Sequence, residues 1–482
     1  MVVILSIIMI TAVLGLFQVF SIGDFGLVPI ELAFLAVFGY AFYYAVWLGK
    51  PLRVPKRLEI IVMGALLLVF TISSITPLIT GDSPQISQGL KSLIHFVYLW
   101  LAAACLICIP ISAEQWIKVF KVHFVVSFVI VVFAMYQLPA RTYEWPLGWI
   151  EITNQSFRKL DKEASEMGQL ALRFADFYRA TSLFTEPSAL AGYSAMSLMM
   201  MLVPLFRRSH TIITSKIFLV LSIICTTVAL FLAFSVLGLT LACAILSLSV
   251  LLYPRTAPKR MVMFLAASVV LLFVADFTIE KNFNISVFTL FGTRVGNLVS
   301  GKATGDGSDI IGESVTQRTS DYFVSGKVFE SSPVFGVGAG NFANSELGKK
   351  YFTTYPSTVY GSVIGEMGIL GIGALAFLLL LMYARAQLVE REWTRLHRGE
   401  DTALDRLMPL VPFRMVLIII TGFSGNFLVS AIFWIDVVIV MSIVSLTRQA
   451  LGIEQVQELF VVRRGWRQRF IDYKLAQERI GV

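Results

Sequence analysis

The sequence predicts an all-α membrane protein that crosses the bilayer about twelve times. Of its 482 residues, 57% are hydrophobic and 38 are phenylalanine. Charged residues make up 15%, against about 25% in an ordinary soluble domain. Apolar stretches of about 18 residues or more recur along the whole chain, and each is long enough to cross a bilayer as a helix. A membrane β-barrel would instead show short segments of alternating polarity.

The apolar stretches define the predicted spans in order. They cover residues 2–20, 27–48, 58–80, 91–111, 116–138, 184–206, 213–233, 235–253, 260–276, 358–383, 410–425 and 428–447. The first stretch has no basic region before it and no small-residue cleavage pattern after it, so we expect a retained helix and not a removed signal peptide.

The spans and polar segments divide the chain into six parts. Helices 1–5 occupy residues 1–138, helices 6–9 occupy 184–276, and helices 10–12 occupy 358–447. Two large loops, 139–183 and 277–357, separate these groups, and a basic tail follows at 448–482. Apolar residues at helical spacing in 162–178 predict a surface helix in the first loop. We expect the second loop to be packed and partly helical, and the tail to be a basic amphipathic helix that contacts anionic lipid headgroups.

The distribution of charge predicts the orientation in the membrane. The net charge is +8, and the basic residues cluster at short loops and in the tail. The clusters are Lys50/Arg53/Lys56/Arg57, Arg207/Arg208, Arg255/Lys259/Arg260, residues 385–398 and Arg463/Arg464/Arg467/Arg469. Basic loops remain in the cytoplasm, so both termini are predicted to be cytoplasmic and both large loops to be extracytoplasmic.

Few ionisable groups lie inside the predicted spans. They are Glu31, His95, Glu366, Arg414 and Asp436. Glu31 and Arg414 lie near span ends, where we expect them to reach the aqueous interface; Asp436 is more central and could be either a structural partner or a functional group. No nucleotide-binding glycine motif or metal-ligand cluster occurs. We therefore expect no cofactor, no metal and no nucleic-acid partner.

The run from Arg173 to Gly192 passes from a charged surface into a membrane span without a break. Ionised groups at that depth are costly unless they are paired or meet a polar ligand. A guanidinium binds phosphate through two parallel hydrogen bonds and stays charged at any physiological pH. Arg173 and Arg179 in the first loop, with Arg294 and Arg318 in the second, therefore predict a site for an anionic headgroup.

Two other features of the loops could contribute to such a site. A Gly-Val-Gly-Ala-Gly run within 336–340 lets the backbone turn tightly and bring N–H groups close to an oxyanion. Trp145 and Trp149 could stack on sugar rings, although the interfacial aromatic belt is the commoner role of such residues.

The order of these motifs resembles one known family. Arg179-Ala-Thr-Ser-Leu-Phe-Thr-Glu-Pro-Ser-Ala-Leu-Ala is similar to the Arg-x-x-Gly-x-Phe-x-x-Pro-Asn-x-x-Ala segment of bacterial O-antigen polymerases and ligases, the Wzy and WaaL superfamily. Arg318, the glycine run and Glu366-Met-Gly368-Ile-Leu-Gly371 resemble that family's second large periplasmic loop and the following span. The resemblance covers roughly residues 90–445 in layout.

The resemblance implies a metal-independent, GT-C-like glycosyltransferase of the bacterial inner membrane, most like a Wzy-type polymerase. Its substrates would be undecaprenyl-diphosphate-linked glycans as donor and acceptor, and its partners membrane lipids and a Wzz-like chain-length regulator. Arg179 and Arg318 would bind the lipid diphosphate, with Arg173 and Arg294 as weaker companions. Glu186 and Asp321 would be the candidate bases, and Tyr355 and Tyr360 would orient sugar.

This sequence departs from the family at two places. Many members carry His-Asn about nine residues before Glu-x-Gly, where this chain has Ser357 and Thr358, and the common Ser-Arg pair appears as Ser235-Val236. The four histidines of the chain, His95, His123, His210 and His397, all lie outside the large loops, so a histidine base in those loops is excluded. The alternatives are an O-antigen ligase that transfers glycan to lipid A core, a transporter of lipid-linked oligosaccharide, and a scaffold in an export complex.

Overall fold

The computed structural model describes the chain except residues 23–24, 56–57, 155–168, 170–172, 175–176, 284–285, 287, 290–291, 293–312, 352–357, 398–400, 427, 454–455 and 461–482. Helices dominate the described part. They are α1 Val2–Thr11, α2 Pro29–Phe42 (continued by a π-helical turn, Tyr43–Trp47), α3 Leu58–Thr80, α4 Ser83–Cys108, α5 Ala113–Thr142, α6 Pro187–Arg207, α7 Lys216–Leu232, α8 Val236–Leu252, α9 Ala257–Phe283, α10 Glu313–Ser331, α11 Glu346–Tyr351, α12 Val359–Leu396, α13 Ala403–Leu407, α14 Leu410–Thr421 and α15 Ala431–Ala450.

Short strands form three antiparallel pairs. The strands are β1 Phe20–Ile22, β2 Phe25–Leu27, β3 Leu52–Pro55, β4 Arg173–Phe174, β5 Phe177–Tyr178 and β6 Val456–Phe460. β1 pairs with β2, β3 with β6, and β4 with β5. The β3–β6 pair ties the loop after α2 to the tail, so residues 456–460 of the tail form a strand where the sequence predicted a helix. The β4–β5 hairpin likewise replaces the last residues of the surface helix predicted over 162–178, whose first residues lie outside the described part.

Among the described residues, eight helices are long and apolar enough to cross a membrane: α2 with its π-helical turn, α3, α4, α5, α6, α9, α12 and α15. Three shorter apolar helices, α1, α7 and α8, accompany them. The structure therefore confirms an all-α, multi-pass membrane protein. Each of the twelve predicted spans contains one helix, while the count of twelve crossings stays a prediction.

The first predicted span is shorter than its hydropathy suggests. α1 ends at Thr11, and the chain then turns toward β1. The carbonyls of Gly15 and Leu16 accept hydrogen bonds from the Asn154 side chain and from the backbone N–H groups of Thr153 and Asn154. Because these bonds replace helical ones, the apolar run 2–20 does not form one continuous helix.

The consecutive helices α3, α4 and α5 run antiparallel because short turns join them, which sorts the loops between the two ends of the bundle. Two residues join α3 to α4, and four join α4 to α5, so the C-terminal end of α5 lies at the same end as the α3–α4 turn. The second loop meets that turn, because Asn341 donates its side-chain N–H to the Gln85 carbonyl at 3.0 Å. We call this end of the bundle the loop end.

The opposite end gathers basic segments. At the C-terminal end of α6, Arg207 donates to Thr394 Oγ1 at 2.6 Å near the end of α12. Arg385 Nε lies 3.7 Å from Glu59 Oε1 at the start of α3. The two ends therefore differ in the way the positive-inside rule requires, with basic clusters at one end and the large loops at the other.

Two ionisable groups that were expected to reach the interface are instead buried and paired. Arg414 of α14 binds Asp436 of α15, with Arg414 Nε at 2.8 Å from Asp436 Oδ1. Glu31 of α2 lies 2.7 Å from His95 Nε2 of α4. The expectation was wrong because each group finds its partner on a neighbouring helix, which makes a buried charge tolerable.

Candidate functional site

The segment 179–184, at the loop end of the bundle, is held in place by Arg141, the penultimate residue of α5. Arg141 is only 3% exposed. Its Nε donates to the Gly148 carbonyl at 2.8 Å, its Nη2 to Gln169 Oε1 at 2.7 Å and to Thr181 Oγ1 at 2.6 Å, and its Nη1 to the Arg179 carbonyl. One buried guanidinium thus joins three separate stretches of the first loop.

Gln137, one turn earlier on α5, continues this network. Its Oε1 accepts the Ser182 N–H at 2.6 Å, and its Nε2 donates to the Ser182 carbonyl at 3.1 Å. Ser182 has φ 52°, a left-handed conformation that costs energy for a residue other than glycine. Side chains of α5, and not a regular strand ladder, therefore fix the path of the chain from Arg179 to Phe184.

The side chain of Arg179 is directed at the end of α7. Its Nε donates to the Ala233 carbonyl at 3.0 Å and its Nη2 to the Phe234 carbonyl at 3.2 Å. The residue is 5% exposed. A cation is favourable at a helix C-terminus, where carbonyl groups lack helical partners. Arg179 in this structure therefore caps α7 as well as lying in the predicted site.

The structure brings Arg173 and Glu186 into the same loop as Arg179. Arg173 pairs with Tyr178 across the β4–β5 hairpin, next to Arg179 in the chain; the Arg173 side chain lies outside the described part. Glu186 is the residue before α6, half-buried, and accepts the Ser188 hydroxyl at 2.5 Å. Its carboxylate thus lies at a helix N-terminus, where negative charge is stabilised.

A second group of predicted residues lies around α10. Asp321 is buried on α10, one helical turn after Arg318, whose side chain is outside the described part. α10 packs closely on α12, since a Cβ on Gly361 would lie 2.8 Å from Ser325 Oγ.

Tyr360 of α12 and Tyr322 of α10 both contact Phe423, which follows α14. The Tyr360 hydroxyl donates to the Ile419 carbonyl at 2.7 Å, and its ring centroid lies 4.6 Å from that of Phe423. Tyr322 of α10 donates to the Phe423 carbonyl at 3.5 Å. The Tyr360 hydroxyl thus has a backbone partner, and its predicted contact with sugar stays a prediction, as do the roles of Arg294 and Tyr355, which lie outside the described residues.

The glycine run contacts a break in α12. Gly368 has φ 63° and ψ −156° inside that helix. The Val337 and Gly338 N–H groups donate to the carbonyls of Gly365 and Glu366, each at 3.0 Å. A Cβ on Gly336 would lie 2.2 Å from the Glu366 carbonyl carbon, so only glycine permits this approach.

The glycine run contacts an acidic side chain of the protein itself. The Gly340 N–H donates to Glu366 Oε2 at 3.0 Å. The Ser73 hydroxyl of α3 donates to the Glu366 carbonyl at 2.6 Å. In this structure the partner of the run is therefore the Glu366 carboxyl group of the protein itself, and the run packs the second loop against α12.

Sequence reasoning missed Arg141 and Gln137, which organise the first loop. The available signal was a charged residue at the end of a predicted span, directly before the aromatic run 143–149. Arg141 lies over the Trp149 ring, with its guanidinium carbon 4.4 Å from the ring centroid. Trp149 therefore has a structural contact of its own.

Comparison with known proteins adds no family. No protein-family model matches this chain, and no curated protein matches it. Within the described residues, no three His, Cys, Asp or Glu side chains are grouped so as to hold a metal ion.

Proposed function

We propose that this protein is an integral membrane glycosyltransferase that polymerises undecaprenyl-diphosphate-linked oligosaccharide repeat units into a surface polysaccharide. The observation that carries the proposal is the fixed Arg179–Glu186 loop at the point where the chain enters the membrane. The order of residues in this loop resembles that of the polymerase and ligase superfamily. The helix α10, which carries Arg318, lies at the same end of the bundle.

The proposed chemistry is transfer of a glycan from its diphosphate to a hydroxyl of a second lipid-linked unit. Arg179 and Arg318 bind the diphosphate, assisted by Arg173 and Arg294, and stabilise the negative charge that develops on the leaving oxygen. A diphosphate replaces the carbonyl partners of Arg179, because hydrogen bonds between two charged groups are the stronger ones. Glu186 or Asp321 accepts the hydroxyl proton, and Tyr355 and Tyr360 orient the sugar.

The proposal predicts the product of a purified reaction. The protein in detergent or nanodiscs is incubated with one lipid-linked repeat unit in the presence of a metal chelator, and the products are separated on a gel. We expect a ladder of glycans on undecaprenyl diphosphate. Arg318→Ala should abolish the ladder, whereas Lys118→Ala, an exposed substitution near the opposite end of α5, should leave it unchanged.

Other outcomes identify the alternative activities. Glycan found on a second lipid such as lipid A core would identify a ligase, and a ladder of normal length from Arg318→Ala would remove that residue from the site. Arg179→Ala is interpreted only if its unfolding temperature equals that of the parent, because Arg179 also caps α7.

One observation favours a transporter as the second candidate function. Arg414 is bound to Asp436 inside the bundle and is close enough to buried His123 for its charge to act on that imidazole. Clusters of ionisable groups within membrane spans are typical of ion-coupled carriers. Uptake of a lipid-linked glycan into vesicles, without any ladder, would support this candidate over the polymerase.

A further inference from the structure

A group of aromatic side chains is exposed at the loop end, directly after α5. Tyr143 is 52% exposed, Trp145 48% and Trp149 44%. Aromatic rings remove a large apolar area from water when they bind a partner, so exposed tryptophan and tyrosine residues are enriched at binding surfaces. We call these three residues the aromatic platform.

The backbone that carries the platform is fixed against α5. The Trp145 N–H donates to the Ala140 carbonyl at 2.8 Å, and the Gly148 N–H donates to the Trp145 carbonyl at 3.2 Å. The Tyr136 hydroxyl, on the last turns of α5, donates to the Pro146 carbonyl at 2.6 Å. The segment is therefore folded back on the end of the helix, and its rings are positioned before a ligand binds, which lowers the entropic cost of binding.

Two residues of the same segment are strained. Glu144 has φ 55° and Leu147 has φ 63°, a left-handed conformation that costs energy for residues other than glycine. Such strain persists where the surrounding structure imposes it, and it is concentrated at binding and active sites. A membrane anchor needs aromatic rings at the depth of the headgroups, but it does not need a strained backbone to present them.

The charge around the platform also differs from that of a lipid anchor. Glu144 and Glu151 are both exposed, and residues 142–157 contain no lysine or arginine. Interfacial anchors combine aromatic residues with basic ones that attract lipid phosphate. Carboxylates instead accept hydrogen bonds from hydroxyl groups. Apolar ring faces bordered by acceptors fit a ligand that has both an apolar face and many hydroxyls, which is the chemistry of a pyranose sugar.

The platform borders the loop that holds Arg179. The guanidinium carbon of Arg141 lies 4.4 Å from the centroid of the Trp149 ring, and the same guanidinium donates to the Arg179 carbonyl. The Tyr178 ring, next to Arg179 in the chain, meets the Trp149 ring edge to face, with centroids 4.9 Å apart. One arginine side chain therefore separates Trp149 from the Arg179 backbone.

We propose that the aromatic platform binds the oligosaccharide of the lipid-linked repeat unit. The electron-rich faces of Trp145 and Trp149 attract the C–H groups on the apolar faces of pyranose rings, and Glu144 and Glu151 accept hydrogen bonds from the sugar hydroxyls. This inference rests on the proposed function and adds to it the place where the glycan lies, beside the loop that binds the diphosphate. It assigns a binding role, and no bond of the substrate is broken there.

Saturation-transfer NMR tests the proposal without any transfer reaction. The probe is the water-soluble oligosaccharide released by mild acid from the repeat unit of the polymerisation assay, added to the protein in nanodiscs. With the aromatic protons of the protein saturated, we expect the ring C–H protons of the sugar to receive magnetisation. No transfer from the parent protein would overturn the proposal, whatever the behaviour of the variants.

Three variants show whether the platform is the source of the signal. Trp145→Ala should weaken the transfer about fivefold or more, because a stacking face is lost, whereas Trp145→Phe should retain most of it. Trp47→Ala is the matched control, since Trp47 is 46% exposed but lies where α2 ends, toward the basic end. Equal transfer from Trp145→Ala and Trp47→Ala, at equal unfolding temperatures, would remove Trp145 from the site.

A membrane-anchoring role for the platform gives a different result. Nanodiscs made with dibrominated phosphatidylcholine quench the fluorescence of tryptophans that contact the bilayer. Trp145→Phe removes an emitter that faces water, so the quenched fraction of the emission should rise or stay unchanged. A fall in this fraction would place Trp145 in lipid and overturn the proposal.

Failure of this inference can be told apart from failure of the proposed function. A glycan ladder from a protein that shows no saturation transfer would retain the polymerase and reject the platform. Saturation transfer that depends on Trp145, without a ladder, would retain the glycan site and reject the polymerase.

Discussion

At the scale of single residues, Arg141 holds the first loop together through four side-chain hydrogen bonds. Arg141→Ala removes four hydrogen bonds and leaves buried acceptors without a donor, so the free energy of unfolding should fall by about 3 kcal/mol or more. Arg141→Lys should recover little, because one ammonium cannot span acceptors that a planar guanidinium reaches. Thermal unfolding in detergent measures both, with Lys118→Ala as the control on the same helix. An unfolding temperature of Arg141→Ala equal to the control's would show that the network contributes nothing.

The Arg414–Asp436 pair permits a double-mutant cycle at the same scale. Removing one partner leaves an uncompensated buried charge, so Arg414→Met or Asp436→Leu alone should each cost about 3–5 kcal/mol. The double variant should be more stable than either single one, because no buried charge remains. The unfolding temperatures of the parent, the two single variants and the double variant give the coupling free energy between the two side chains. Additive losses would mean that the two side chains do not depend on each other.

The sequence predicted which ionisable residues lie inside spans, but it did not predict which residues they bind. The ionisable residues inside spans, among them Arg414 and Asp436, could be recognised because each interrupts an apolar run. Their pairing depends on how α14 packs against α15, and the partners of Arg141 are loop atoms 7 to 40 residues away. Hydropathy carries no information about such contacts. The expectation that Arg414 reaches the interface therefore failed, although its position was known.

At the scale of elements, the break in α12 depends on a loop that precedes it in the chain. Gly336→Ala would place a Cβ 2.2 Å from the Glu366 carbonyl carbon at φ 69°. We expect it to lower the free energy of unfolding by about 2 kcal/mol or more and to expose the chain near 332–341 to limited proteolysis. Gly373→Ala is the matched control in α12, because no atom lies within 4 Å of its added Cβ.

Gly373→Ala should be neutral or slightly stabilising, since alanine favours a helix over glycine by about 1 kcal/mol. If Gly336→Ala behaved like Gly373→Ala, the docking of the glycine run on α12 would be wrong. The helices themselves were predictable from the length of the apolar runs. The break in α12 was not predictable, because the apolar run 358–383 continues past Glu366-Met-Gly368. Likewise, β3 and β6 are about 400 residues apart, and no local sequence pattern predicts that they pair.

At the scale of the whole molecule, the aromatic segment 143–149 and the end of α12 lie at opposite ends of the bundle, which predicts that they face opposite sides of the membrane. Leu147 is 65% exposed at the loop end, and the side chain of Arg395 is 71% exposed at the basic end. The positive-inside rule assigns the basic end to the cytoplasm. The four native cysteines lie within α4, α7 and α8, where a charged reagent in water does not reach them readily.

Cysteine labelling of cells tests this arrangement. A membrane-impermeant maleimide should label Leu147→Cys in intact spheroplasts, and Arg395→Cys only after the membrane is permeabilised; the parent protein reports labelling of native cysteines. The reverse pattern would keep the bundle and invert its orientation, which would move Arg179 and Glu186 to the cytoplasm, away from any extracytoplasmic glycan. Labelling of both positions from one side would contradict the antiparallel order itself, because α5 and α12 could then not end on opposite faces.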